Sequence, residues 1–105
     1  MCGIAGFWNY QRDMLDSSNS ASIRTMNRLQ THRGPDSEGY YEFKGFHMGM
    51  RRLRVIDLEH GDQPLLNQSQ TLAIIFNGEI YNFPDLREEL IREGVHFNTS
   101  SDTEV

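Results

Sequence analysis

The chain has 105 residues, a net charge of −5, and 37% hydrophobic and 24% charged residues. That length holds one domain with a single core, and the acidic balance argues against a nucleic-acid or anionic-membrane surface. One cysteine excludes an internal disulfide framework. No CxxC or Cys/His cluster suggests zinc, no leader sequence is evident, and no run approaches the ~20 apolar residues that span a bilayer. The expected setting is the reducing cytoplasm.

The first element, residues 3–8, is apolar and aromatic with two glycines and reads as a buried strand carrying Cys2 at its edge. Removal of Met1 leaves Cys2 with both a thiol and a free α-amine of ordinary pKa ~7.7–8.0, so nucleophile and base share one residue. The alternative is a small buried hydrophobe.

Asn9 to Ser20 reads as a polar loop. Around Ala21–Gln30, Ile23, Met26 and Leu29 recur every third residue, which predicts an amphipathic core helix with Arg24 and Arg28 exposed and Ser18 or Ser20 as its cap. Gly34-Pro35 ends it in a charged turn. Tyr40–Phe43 and Phe46–Met50 flank Lys44-Gly45 as a hairpin. In the stretch that follows, Arg51, Arg52 and Arg54 read either as a solvated strand face or as a guanidinium fork gripping a carboxylate; the first is favoured.

Leu58–Gln70 is polar and turn-rich, with Gly61-Asp62-Gln63-Pro64 as its breaker. Leu72–Phe76 is a continuous apolar run predicting a central buried strand. Asn77-Gly78 then reads as a hairpin turn, or as two adjacent donors, a side-chain amide and a backbone N–H, forming an oxyanion hole. Pro84 and Gly94 bracket a packing helix over Asp85–Glu93 with Leu86, Leu90 and Ile91 on one side. His96–Asn98 starts another extended piece. His32, His47, His60 and His96 lack ligand spacing.

Six stretches together resemble the class II glutamine amidotransferases, in the asparagine synthetase branch: residues 1–6, 32–39, 51–57, 63–64, 76–82 and 101–105. The resemblance covers the whole chain in order, and the form Asn-Gly-Glu-Ile-Tyr-Asn at 77–82 points to that branch. It implies an α+β fold of N-terminal-nucleophile hydrolase type, an α/β/β/α sandwich of antiparallel sheets, here truncated, with residues 1–105 forming a partial amidotransferase domain. It also implies a glutaminase half-reaction through a Cys2 thioester, with Asn77 and Gly78 as the oxyanion hole. Arg52 would take the substrate α-carboxylate and Asp102 its α-ammonium, with Glu79 and the backbone of Leu53, Val55 and Ile56 lining the pocket. L-glutamine is the implied substrate and no cofactor is implied in this segment. ATP and magnesium belong to a synthetase domain, the implied partner, of which nothing here shows a phosphate loop. Two departures from the pattern, Met50 where histidine is frequent and Arg54 where serine is common, bear on local packing. A second reading is a non-catalytic remnant whose uncovered sheet invites homo-oligomerisation or another interaction.

Overall fold

The computed structural model describes residues 1–10, 17–55 and 59–105. Three strands form an antiparallel sheet: β1 (Gly3–Trp8), β2 (Ser37–Phe43) and β3 (Phe46–Arg52), in the order β1-β3-β2. The centre strand β3 is enclosed from His47 to Arg52, whereas β1 is an edge strand and not the buried one its composition predicts: Ile4 and Trp8 point to the uncovered side and are exposed. The predicted hairpin is present, with Phe43 opposite Phe46 and Lys44 in the left-handed region at φ 51°. Lysine takes that conformation at some cost, which the adjoining ladder of pairs offsets.

Alternation along β3 sorts the sheet into two faces. His47, Gly49 and Arg51 point toward helix α1 (Ser17–Leu29); Met48, Met50 and Arg52 point the other way. Gly49 marks the contact, because a Cβ there would sit 3.2 Å from the side chain of Asn27. The helix exists as expected, but its buried stripe does not run through the three-residue series. Ile23 and Asn27 are fully buried, whereas Met26 and Leu29 are exposed. Positions 23 and 27 stack one turn apart, so they share the inward face while 26 and 29 rotate off it. Asn27 is tolerated there because its Nδ2 donates to the Met50 carbonyl at 3.2 Å. Ser18 and Ser20 lie inside the first turn of α1 rather than capping it, and Ser20 Oγ donates to Glu42. The loop expected over Asn9–Ser20 lies partly outside the described residues, and its last four residues are helical.

The opposite face of the sheet receives the chain at Gln63 and the cis Gln63-Pro64 bond. Gly39 permits the approach: a Cβ there would fall 1.8 Å from the Gln63 carbonyl oxygen. A two-stranded antiparallel pair follows, β4 (Leu65–Leu66) with β5 (Ala73–Ile74). The run at Leu72–Phe76 is therefore not a central buried strand. Only two of its residues pair, and Leu72 is 70% exposed. Apolar content signals a surface that burial would stabilise, but Leu72, Ala73 and Ile74 stand on one wall of an open cleft, across from Val95–Asn98 and the chain's last turn, and are not packed within a sheet.

Helix α2 (Phe83–Arg92) has the expected proline at its start, and its end is closed by Gly94 at φ 94° with Val95 N–H donating to the Leu90 carbonyl. Its predicted face packs only in part: Leu86 and Leu90 are half-buried and Arg87 stacks over the Phe97 ring, whereas Ile91 is exposed and no residue of the helix is fully buried. The residues at 96–98 form no strand, and a 3₁₀ turn, Asp102–Glu104, closes the described chain. The architecture is mixed α and β with antiparallel sheets.

Candidate active site

The strand register builds the first half of the site. Gly3 pairs with Arg51, so Cys2, one residue further out, stands across from Arg52, and Ser37 faces Arg52 from the other side. All three therefore lie in a row on the face turned away from α1. The Cys2 thiol rests on the backbone of Leu53, whose N–H donates to Sγ at 3.3 Å while its carbonyl lies 3.6 Å away. The Cys2 carbonyl accepts from Arg33 Nε at 3.2 Å, which ties the chain start to the turn after α1.

The arginines of this stretch are not a solvated strand face. Arg51 and Arg52 are 9% and 5% exposed. A buried guanidinium needs an anion or carbonyls to replace its hydration. Arg51 donates to Glu38 at 2.7 Å and to the Gly34 carbonyl at 2.9 Å, on the α1 face. Arg52, on the other face, donates to Asp62 at 2.8 Å, and Arg54 reaches the second oxygen of the same carboxylate at 3.2 Å. Partial burial pushes the Asp62 carboxyl up, but hydrogen bonds from Arg52, Ser37 and Arg54 and the charge of Arg54 hold it below its ordinary value.

Gln63 assembles the second half. Its amide accepts from Phe76 N–H at 2.6 Å and donates to the Phe76 carbonyl at 3.2 Å and to Thr103 Oγ1 at 3.1 Å. One buried side chain thus fastens the end of the Leu72–Phe76 run and the 3₁₀ turn to the sheet. That turn is started by Ser101, whose Oγ accepts from Thr103 N–H. Asp102, 6% exposed, accepts from Ile80 N–H at 2.9 Å, which fixes the chain just past Asn77-Gly78. Asn77-Gly78 is a bend at the rim, not a hairpin turn. A Cβ at Gly78 would meet the far edge of the Phe76 ring at 2.6 Å, so a larger residue there requires that ring to shift.

Between the halves lies a cleft of about 380 Å³. Cys2, Arg52, Leu53, Val55, Asn77, Gly78, Glu79 and Asp102 all line it, and Ile56 lies outside the described residues. Met1, Gln63, Phe76, Tyr81, Ser101 and Thr103 complete the wall. In the sequence Arg33 reads only as part of a charged turn, and Asp62 and Gln63 only as part of a chain breaker. A polar residue beside proline was the available signal for Gln63. Nothing local marks Arg33 or Asp62, whose partners are 31 and 10 residues away. The arrangement offers a thiol, a cation, an anion and an amide-bearing bend around one small space. Among the described residues no three His, Cys, Asp or Glu side chains converge as a metal set, and no helix is long and apolar enough to cross a membrane.

A mixed α and β domain with a near-terminal thiol, a cation and an anion around one cleft defines a class of site. The model of the glutamine amidotransferase domain matches residues 1–105, and the chain belongs to that family. Among its relatives is a Bacillus subtilis asparagine synthetase [glutamine-hydrolyzing] 1, 49% identical over 105 residues, a match covering all of this chain and 17% of that protein. A probable asparagine synthetase of Dictyostelium discoideum is 42% identical across 99% of the chain and 18% of its own length. Asparagine synthetase B of Escherichia coli is 38% identical over the whole chain, again 18% of its own length. The chain thus spans about a sixth of the length of these curated relatives.

Proposed function

We propose that residues 1–105 are the N-terminal portion of a glutaminase domain that hydrolyses L-glutamine and supplies ammonia to a synthetase domain making asparagine. The observation that carries this reading is the gathering of Cys2, Arg52, Asn77, Gly78 and Asp102, from four separate stretches, around one cleft. In the reaction Cys2 Sγ attacks the side-chain amide carbon, with its proton passing to the Cys2 α-amine once Met1 is removed. The carbonyl π electrons move onto oxygen, where the Asn77 amide and Gly78 N–H donate to the developing charge. The C–N bond breaks, ammonia leaves with a proton returned by the α-amine, and the thioester remains. Water then adds at the same carbon, and the thiol departs to leave glutamate. Arg52 holds the α-carboxylate and Asp102 the α-ammonium, one cation and one anion selecting a zwitterion over a plain amide. Glu79 and the backbone of Leu53 and Val55 complete the wall. ATP and magnesium act in the synthetase domain, outside these residues. The full domain in this reading is a four-layer sandwich of antiparallel sheets.

Ammonia release from glutamine, compared between the native chain and Cys2→Ala, tests the proposal. Release that disappears in the variant supports it; release that persists contradicts it. The exposure of Trp8, Phe43 and Leu72 favours a second reading, an interaction module that self-associates. Sedimentation at several concentrations separates the two, since an assembly that glutamine does not stabilise supports the module.

A further inference from the structure

We infer that Asp62 is the positioning residue that presets Arg52 for the substrate carboxylate, with Arg54 balancing its charge. The inference rests on the glutaminase reading. Arg52 is placed by two rigid strands, yet a guanidinium on a long side chain still has several rotamers to choose among. Asp62 Oδ1 accepts from Arg52 at 2.8 Å and from Ser37 Oγ at 2.8 Å, so the carboxylate is held by adjacent strands β2 and β3 at once. Its loop leads directly into Gln63, whose three hydrogen bonds fix the far wall of the cleft. Asp62 is thus the point where the arginine, the sheet and the far wall meet.

A carboxylate beside the substrate-gripping arginine has an electrostatic cost. Taken alone, the Arg52–Asp62 pair is neutral and attracts an incoming carboxylate weakly. Arg54 lies at 3.2 Å from Oδ2 and restores a net positive charge to the group of three. Partial burial pushes the Asp62 carboxyl up, yet the three donors together keep it below its ordinary value, so it is ionised at neutral pH. The row of arginines that reads as a solvated strand is, on this view, one binding cation, one cation for the α1 face and one compensating cation.

The test is steady-state glutaminase kinetics on the full chain as the gene encodes it, with thermal melts alongside. Asp62→Ala removes the acceptor and raises KM for glutamine about tenfold or more, with kcat within about threefold of native. Asp62→Asn keeps an acceptor for Arg52 and Ser37 and returns KM to within about threefold. Arg54→Ala leaves Asp62 uncompensated and raises KM at low salt, a rise that shrinks as salt screens it. That salt signature stands even if Asp62→Ala fails to fold, and a purely structural role would not produce it. A KM within twofold of native in Asp62→Ala, a fall confined to kcat, or a salt-independent Arg54→Ala overturns the inference while leaving the glutaminase reading intact. A native chain that releases no ammonia from glutamine overturns both.

Discussion

Cys2 and Arg52 become neighbours because two strands pair in one register, and a slip of one residue would turn Arg52 onto the α1 face. The site therefore depends on register before it depends on side chains. Of the groups around the cleft, Asn77 is the cleanest to remove, since it is exposed at the rim and belongs to no regular element. Asn77→Ala is expected to lower kcat for glutamine by about 10²–10³, roughly 2.7–4 kcal/mol of transition-state stabilisation, with little change in melting temperature. Stopped-time ammonia assays with a parallel melt check it. Residues of this kind were legible in the sequence because their chemistry is local: a thiol at position two, an amide next to a glycine. Arg33 and Asp62 were not, because each acts on a partner distant in sequence and only the fold shows the meeting.

At the scale of elements, the first sheet was largely readable. Two apolar runs around Lys44-Gly45 specify a hairpin through turn chemistry and alternation, and the paired register follows. Helix α1 was placed but its inward face was not. An asparagine held by the Met50 carbonyl substitutes for the apolar residue that periodicity expects, and no pattern of hydrophobicity records a hydrogen bond. The Leu72–Phe76 run shows the opposite limit. Apolar pattern states what a segment would gain by burial, not whether a covering layer is adjacent. The crossing at Gly39 gives the element-scale prediction. Gly39→Ala places a methyl against the Gln63 carbonyl, a backbone atom that cannot rotate away, so either the 63–64 segment lifts or β2 bends. A cost of about 1–3 kcal/mol or more follows from overpacking. Because Gln63 holds the far wall, glutamine turnover should fall further than the melting temperature alone accounts for.

Over the whole molecule the enclosed apolar core is small. Among the described residues only Ile23, Met48 and Met50 are buried hydrophobics, while buried polar groups are more numerous and most of them are tied by hydrogen bonds or ion pairs, His47 making no hydrogen bond through either ring nitrogen. The radius of gyration, 14.9 Å, exceeds the ~13 Å typical of a compact chain this long. Polar ties consequently carry a large share of the organisation, and in two of them a carboxyl is held below its ordinary value. Asp62 is held down by its arginines and Ser37. Burial pushes Glu104 up, but hydrogen bonds from Asn98 and Thr99 and the charge of Arg87 hold it below its ordinary value. A folded pKa below the unfolded one contributes stability that is fully present above the unfolded value near 4. It is lost as pH falls through the folded values. Melting temperature is therefore expected to be flat from about pH 7 to pH 5 and to decline below about pH 4. Asp62→Asn and Glu104→Gln should each flatten that decline in a pH series of thermal melts.

In the proposed reaction Cys2 is the nucleophile of a glutamine site. The most direct measurement is mass spectrometry of the folded chain, with Met1 removed, after exposure to a diazo-ketone analogue of glutamine. One adduct is expected, on Cys2, whose formation excess glutamine slows and Arg52→Ala abolishes. A folded, processed chain whose Cys2 stays unmodified, or is modified at the same rate with glutamine present, would contradict it.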